Sequence, residues 1–451
     1  MLLHSCRHSD FWAGTPYERA RPRLELDALG AVSELPRPPQ GPRKRVRLRV
    51  QNGHLKMLQE NLRRTLQHRL PVFLYLAAVV TLAVALIYFG WVRTWSSVYL
   101  PRMYPPFADM RGFQGAISLV EQGYDPRSPP WEFDQPLVWI TIGKMLNFSS
   151  EPWLIAECAA LVFCFVGLCA FLLFCYPSFG LLASLVSTST LLGIERGNTD
   201  LVIFCLLFLA ATWFPNRWSS LPLLLATLLK LFPIFALTGM FIKRQFILFA
   251  ASLAGAVAIF AYLWDQLADI HSRVPVECAL SFGLPSITDC FIQRGFPPWE
   301  PWALFAALGF AVLTLTYYFS KLDAATLEDD AAFDLLLVGA PIYVGTFMVA
   351  SNFDYRLIFL ILCIPFLQRR PFPFARTLIV VMLIAMNERL VSAWLPKGWV
   401  VVQLAKSAIF VVLSAYLLAL AWAALASLDA KRKLIAANGT AELTPIEPPG
   451  P

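Results

Sequence analysis

The chain has 451 residues, of which 57% are hydrophobic and 14% aromatic, and its formal net charge is +7. A soluble domain could not cover so many apolar residues in long runs with polar surface, so the composition indicates an integral membrane protein. Residues 1–69 hold 14 of the 37 Lys/Arg and 6 of the 30 Asp/Glu, which accounts for the positive charge and argues against a nucleic-acid groove elsewhere in the chain.

The N-terminal segment is rich in Pro and Arg and shows no sustained apolar period. We therefore predict a disordered, basic cytoplasmic tail over residues 1–68, next to an anionic membrane surface. No secretory signal peptide is expected, because the first long apolar run begins only at Leu70. Translation could start at Met1 or at Met57, and the sequence leaves both open.

Apolar runs of about 20 residues are long enough to cross a hydrocarbon core of about 30 Å. Threaded by the positive-inside rule, they predict an all-α bundle of about twelve spans over residues 69–428, with outer loops at 92–152 and 264–301. Both termini are then cytoplasmic, and residues 429–451 form a second tail. The run 221–242 could be one span or two short helices. Because proline disfavours a helix interior, we expect a break between Lys230 and Pro233.

The first outer loop contains the signature of an amphipathic surface helix. Pro105 and Pro106 favour a helix start, apolar residues recur at helical spacing after it, and Gly123 favours its end. Asp109 falls in the first turn of this helix. It either compensates the helix dipole or serves a ligand site, and the residues alone leave the two readings open.

Three cations fall at predicted outer helix ends. Arg196, Lys230 and Arg356 could together hold a phosphate, with arginine as a bidentate fork and lysine as a point charge. The alternative is local pairing of Arg196 with Glu195 and of Arg356 with Asp354. Lys230 has no acidic neighbour in sequence and is the better phosphate candidate.

Other chemistries find little support. Cys278 and Cys290 share the second outer loop and could form a disulfide in an oxidising compartment. Four of the five histidines are in the N-terminal tail, so we expect no metal site and no cofactor. A phosphate-binding glycine loop, a zinc-ligand spacing and a GxSxG elbow are all missing from the sequence.

The order of the polar motifs resembles that of a known family. After the surface-helix Asp come GYDP (123–126), ERGNTD (195–200), LLKLFPIF (228–235) and NFDYRLIFL (352–360). This order is similar to that of the GT-C glycosyltransferases, in particular glycosyltransferase family 87, which contains the polyprenol-phosphate-mannose-dependent mannosyltransferases. The chain departs from the family pattern at FDQPLVW (133–139), where relatives often have NYP followed by Trp, so the sugar and the acceptor stay undefined.

The resemblance implies an inverting, metal-independent transfer of a hexose (mannose-like) or pentose from a polyprenyl-phosphate donor. The acceptor would be a hydroxyl of a glycan or glycolipid at the non-cytoplasmic face, with Asp109 as general base. Lys230, Arg196 and Arg356 are then expected to bind the donor phosphate. The residues expected to bind or orient substrate are Glu195, Asn198, Asp354, Tyr124 and Asp125.

The expected location is a bacterial inner (plasma) membrane, with a periplasmic or extracellular active face. Membrane lipid is an expected partner and nucleic acid is not. A multi-pass transporter or lipid flippase is the alternative, because broken helices and intramembrane charges are also typical of transporters. A catalytically inactive scaffold is a third possibility, which would tolerate charge substitutions at the outer face.

Overall fold

The computed structural model describes residues 69–100, 106–128, 133, 135–214, 217–267, 281–297, 299–321, 330–369 and 374–441. Within these ranges the chain is helical apart from two short strands, which confirms the all-α prediction. The predicted N-terminal tail, over residues 1–68, lies outside the described residues.

The first half of the described chain alternates long apolar helices with short ones. The α-helices, in chain order, are α1 Arg69–Phe89, α2 Trp91–Ser97, α3 Ala108–Glu121, α4 Val138–Met145, α5 Glu151–Cys175, α6 Phe179–Leu185, α7 Thr188–Arg196, α8 Asp200–Thr212, α9 Ser220–Leu229, α10 Leu237–Ile242 and α11 Phe246–Tyr262. Two 3-10 helices, Arg217–Ser219 and Phe232–Ala236, lie among them.

The second half adds seven α-helices, a two-stranded sheet and a ten-residue 3-10 helix, Asp354–Cys363. The α-helices are α12 Leu284–Gln293, α13 Trp299–Lys321, α14 Ala331–Val349, α15 Ile364–Arg369, α16 Ala375–Met386, α17 Glu388–Trp394 and α18 Gly398–Ala441. The strands are β1 Ser281–Phe282 and β2 Asn352–Phe353, paired antiparallel. Helix α18 continues past residue 428, where we expected the C-terminal tail to begin.

Five of the described helices are long and apolar enough to cross a membrane, namely α1, α5, α13, α14 and α18. Helices α16 and α17 pass the same test together but meet at an 80° bend, so they are either a broken sixth span or a re-entrant loop. Three shorter apolar stretches, Asp200–Thr212, Phe232–Ile242 and Phe246–Tyr262, fall below the length of a full span. A membrane protein is therefore indicated, with fewer full-length spans among the described residues than the twelve we predicted.

Helix α14 is the centre of the bundle. In the most apolar 18-residue stretch of α14, 83% of the residues are buried. The corresponding stretches of α1 and α13 are only 11% buried, so these two helices lie at the periphery. With 19 residues, α14 is about 28 Å long. Near its start Asp334 forms an ion pair with Lys243 at 2.5 Å, and just beyond its end Asn352 binds Arg356. These two polar contacts therefore lie near opposite ends of α14, whose residues between them are mostly buried and apolar.

Two local predictions about helix boundaries are confirmed. The surface helix α3 begins at Ala108 and includes Asp109 in its first turn. The apolar run 221–242 is broken as expected: α9 ends at Leu229, Lys230 has an extended backbone, and a 3-10 helix with Pro233 near its start follows. The break removes Lys230 from the regular helix, and its side chain reaches Asp200 at the start of α8.

Two other segments depart from a regular α-helix. The run from Phe179 to Arg196 is divided into α6 and α7, because Ser187 caps α7 by accepting a hydrogen bond from Thr190 N. Asp354–Cys363 is a 3-10 helix. Its greater rise lets ten residues cover about 20 Å instead of about 15 Å. The two residues just before this 3-10 helix form β2, and their pairing with β1 fixes their extended backbone.

Candidate functional site

Asp109 projects from the first turn of α3 toward the turn between α7 and α8. Its Oδ2 accepts a hydrogen bond of 2.5 Å from Asn198 Nδ2, and its Oδ1 lies 3.6 Å from Arg196 Nη1. The Asp109 side chain is 25% exposed, so the carboxylate is held in place but is still accessible. Arg196 thus reaches Asp109 on a different element, a contact that its sequence neighbour Glu195 did not suggest.

Glycine at position 197 makes this approach possible. Gly197 ends α7 in the left-handed region, at φ 61°, and a Cβ at this position would lie 3.0–3.3 Å from the Phe107 side chain. The Phe107 ring also packs edge-on against Trp91, with 5.0 Å between ring centroids. Close backbone packing between this turn and the start of α3 thus brings Asp109 to Asn198.

Asn198 connects Asp109 to a buried carboxylate two residues further on. Its Oδ1 accepts a 2.7 Å hydrogen bond from Asp200 N at the start of α8, while its Nδ2 donates to Asp109. Because both ends of its amide are engaged, Asn198 fixes the orientation of Asp109 relative to Asp200. We predicted that Asn198 binds or orients substrate, and the structure places it in contact with Asp109 and with the start of α8.

Asp200 joins two of the three predicted phosphate-binding cations. Its Oδ1 lies 2.5 Å from Lys230 Nζ and its Oδ2 lies 3.4 Å from Arg356 Nε, and the side chain is only 1% exposed. A buried carboxylate needs such partners, because an unpaired charge in an apolar interior is strongly destabilising. Asp109, Arg196, Asn198, Asp200, Lys230, Asn352 and Arg356 thus form one polar group, which we call the Asp200 network.

The helix break positions Lys230 in the Asp200 network. Beyond the end of α9 the backbone of Lys230 is extended, and the carbonyl of Leu229 accepts a 2.9 Å hydrogen bond from Trp139 Nε1. Trp139 lies on α4 and is 3% exposed. Helix α4 therefore contacts the end of α9 directly and fixes the backbone from which Lys230 extends.

Arg356 is held on three sides. Its guanidinium lies over the Phe232 ring, with 5.0 Å between Cζ and the ring centroid, and its Nη1 donates to Asn352 Oδ1. The third contact is the ion pair with Asp200. In the described chain the alternative that the sequence left open, a local pair with Asp354, is not formed, because Asp354 binds Lys406.

A cavity of about 330 Å³ lies beside Lys230 and Arg356. Its walls are mostly apolar, and its polar groups come from these two cations together with Gln135, Asn352 and Thr346. The apolar lining residues are Pro136, Leu231, Phe232, Ile234, Phe235, Phe260, Leu267, Val349 and Ala350. Asp109 and Arg196 do not line it and are connected to it through Asn198 and Asp200. The cavity can hold an elongated apolar molecule with an anionic group at the Lys230 end.

Glu195 has a different environment from its neighbour Arg196. Its side chain is completely buried, and its Oε1 accepts a hydrogen bond of 3.4 Å from Trp91 Nε1. Trp91 begins α2 and packs on Phe107, so the two contacts connect α7 through α2 to the start of α3. Glu195 is therefore buried between helices and does not line the cavity.

A second buried ionic group lies at the same end of α14. Lys406 of α18 contacts Asp354 Oδ1 at 2.6 Å and also Glu388 Oε2, and its side chain has no exposed area. We call Asp354, Glu388 and Lys406 the Lys406 cluster. Sequence reasoning missed Lys406, although a lone cation inside the apolar run of α18 was a signal that could have identified it.

The remaining predicted residues lie apart from the Asp200 network. Tyr124 is 64% exposed, and Asp125 pairs with Arg127 at 3.2 Å. Both follow the end of α3, about 20 Å along the helix axis from Asp109. Cys290 is disulfide-bonded, whereas Cys278, its predicted partner, lies outside the described residues.

Within the described ranges, no group of three or more His, Cys, Asp or Glu side chains is placed to hold a metal ion. Comparison of the chain with family models, with curated proteins and with solved structures finds no match. A functional assignment must therefore depend on the geometry of the Asp200 network and its cavity.

Proposed function

We propose that this chain is a membrane glycosyltransferase that uses a polyprenyl-phosphate sugar as donor. The observation that carries the proposal is the connection of a partly exposed carboxylate, Asp109, through Asn198 and Asp200 to Lys230 and Arg356, which line an apolar cavity. A polyprenyl phosphate combines an apolar chain with an anion, and the cavity offers complementary surfaces for both.

The cations supply electrostatic stabilisation to the departing phosphate. As the bond between the sugar C1 and the phosphate oxygen breaks, negative charge develops on that phosphate, and fixed positive groups stabilise it. Lys230 offers a point charge and Arg356 a fork that can donate two parallel hydrogen bonds. Asp200 would hold both groups in position before the donor arrives.

Asp109 acts as the general base in this proposal. The acceptor hydroxyl oxygen forms a new bond to the sugar C1 while its proton passes to the Asp109 carboxylate, and the polyprenyl phosphate leaves with the electron pair of the broken bond. Attack from the face opposite the leaving group inverts C1. Asn198 and Arg196 orient the carboxylate, and its 25% exposure gives an acceptor access to it.

The finer parts of the fold and location belong to the same proposal. We propose a GT-C-like arrangement of about twelve membrane crossings, in which the shorter apolar helices such as α8 and α11 supply crossings beyond the long ones. The Asp200 network would lie at the non-cytoplasmic face of a bacterial plasma membrane, with both termini in the cytoplasm. The acceptor would be a glycan or glycolipid, and the sugar a hexose or pentose.

The test uses purified full-length protein in liposomes with radiolabelled polyprenyl-phosphate mannose and membrane glycolipid acceptors. We expect transfer by the wild type and its loss in Asp109→Asn. Glu121→Gln serves as the matched control, because Glu121 is an exposed carboxylate in the last turn of α3. Wild-type transfer by a folded Asp109→Asn protein would rule out the mechanism.

A transporter or lipid flippase is the second candidate, because the same charged and apolar cavity beside a broken helix could bind a lipid phosphate during transport. It predicts that fluorescent polyprenyl phosphate crosses the bilayer of protein-containing liposomes, and that Asp109→Asn leaves this movement unchanged. Transfer without lipid movement would favour the enzyme, and movement without transfer would favour the flippase.

A further inference from the structure

We propose that the Lys406 cluster is a proton-binding site, in which one proton is shared between the carboxyl groups of Asp354 and Glu388 while Lys406 carries its positive charge. The inference is independent of the proposed glycosyl transfer, because it depends only on the contacts of three buried side chains. The ligand is a single proton, and the site is formed by the 3-10 helix, α17 and α18.

The hydrogen bonds of Lys406 indicate that its amine is an ammonium group. Nζ contacts three acceptors: Asp354 Oδ1 at 2.6 Å, the carbonyl of Ser281 at 3.4 Å, and Glu388 Oε2. An ammonium group has three N–H donors, one for each of these acceptors. A neutral amine would have only two, and its lone pair would face an oxygen.

The two carboxylates each have one oxygen left over. Asp354 Oδ2 and Glu388 Oε1 are buried and have no hydrogen-bond donor, while the side chains of the two residues lie within hydrogen-bonding reach of each other. Two ionised carboxylates are both acceptors and cannot bond to one another. One added proton converts this repulsive contact into an O–H···O bond and removes one of the two negative charges.

Charge balance leads to the same conclusion. With both carboxylates ionised the cluster carries a net charge of −1, although Lys406 has no exposed side-chain area and the two acids are at most 4% exposed. An uncompensated buried charge is strongly destabilising, so a group of this kind takes up a proton. Tyr343 of α14 also contacts the cluster, and its hydroxyl donates to the Lys406 carbonyl.

The shared proton stabilises the junction between β2 and the 3-10 helix, from which Arg356 of the Asp200 network extends. Asp354 directly follows β2 and lies two residues before Arg356, and Ser281 belongs to β1, which pairs with β2. When the proton is lost, repulsion between the two carboxylates would act on this junction. The Lys406 cluster therefore fixes the segment from which Arg356 reaches Asp200.

The test is infrared spectroscopy of the purified full-length protein in detergent, in H2O and D2O. At neutral pH we expect a carbonyl stretch of a protonated carboxyl group that shifts in D2O. Because the proton is shared, the band should disappear in Glu388→Gln and also in Asp354→Asn. Asp334→Asn is the control, since Asp334 pairs with Lys243 at the opposite end of α14 and its removal should leave the band in place.

Thermal unfolding provides a second measurement. A folded state that keeps one proton after the unfolded carboxyls have lost theirs is destabilised as pH rises, by tenfold in the unfolding equilibrium constant per pH unit. We expect the wild-type Tm to fall with rising pH above about pH 5, and Glu388→Gln to be less sensitive. A wild-type spectrum without a protonated carboxyl band at neutral pH overturns the proposal even if neither variant folds, and so does a band that both variants retain.

Discussion

Asp200 and Lys230 are 30 residues apart in the chain, and their side chains form a buried ion pair with 2.5 Å between Oδ1 and Nζ. Neither side chain is more than 5% exposed. The pair connects the start of α8 to the break after α9, and the second oxygen of Asp200 extends it to Arg356. One buried carboxylate thus sets the spacing of the two cations that line the cavity.

Asp200→Asn should strongly destabilise the protein. The amide keeps the shape of the side chain but removes the charge that compensates Lys230 and Arg356 in a buried position. Breaking a buried ion pair from one side costs about 3–5 kcal/mol. We expect a clear decrease of Tm in detergent, measured by differential scanning fluorimetry of the purified protein.

Asp125→Asn is the matched control for that substitution. Asp125 also pairs with an arginine, but its side chain is 47% exposed, and an exposed pair contributes only about 0–1 kcal/mol. A Tm for Asp200→Asn as high as that of Asp125→Asn would show that the buried pair does not stabilise the fold.

Gly197→Ala should displace Asp109 from Asn198. Alanine at the φ of 61° found here costs about 1–2 kcal/mol, and its Cβ would press on Phe107 at 3.0–3.3 Å. Lower stability and weaker sugar transfer are both expected, measured by thermal unfolding and by the liposome assay. Gly167→Ala in α5 is the control, because a Cβ there meets no atom within 4 Å; equal effects of the two substitutions would contradict the packing argument.

Much of the fold was predictable because it depends on local chemistry. The start of α3 follows from its prolines and the turn after it from Gly123, and the break after α9 follows from Pro233. Each of these signals lies within a few residues of the structural feature that it causes. The predicted helical architecture was confirmed for the same reason, since apolar runs are local, and five of the described helices are long and apolar enough to cross a membrane.

The ion-pair partners were not predictable, because packing between distant helices decides them. Sequence proximity suggested Glu195 for Arg196 and Asp354 for Arg356, whereas the structure pairs these cations with Asp109 and Asp200. Adjacent residues on one element often point in different directions, so a neighbour in sequence is a poor guide to a contact. Hydropathy likewise counts apolar segments, and it cannot tell a full span from two short helices, the second of which begins at a cap such as Ser187.

Arg356→Lys should impair donor binding although the positive charge is kept. Lysine cannot stack on Phe232 as a planar fork or offer two parallel donors to a phosphate. Loss of a charged hydrogen bond of about 1.5 kcal/mol or more corresponds to a roughly tenfold weaker affinity. Binding of polyprenyl-phosphate mannose to detergent-purified protein measures this. Arg294→Lys should bind the donor normally, because Arg294 stacks on Trp399 outside the cavity; equal affinities for all three proteins would contradict the assigned role of Arg356.

Trp139→Phe should make the position of the Lys230 side chain less well defined without changing its charge. The phenyl ring keeps the aromatic packing on Phe113 but removes the Nε1 donor to the Leu229 carbonyl, and a buried acceptor without its donor costs about 1–3 kcal/mol. We expect a lower Tm together with a higher KM for the donor in the liposome assay. Trp422→Phe, at a 68% exposed position of α18, should change neither quantity. If Trp139→Phe behaves like that control, the hydrogen bond from Trp139 of α4 to the Leu229 carbonyl does not position Lys230.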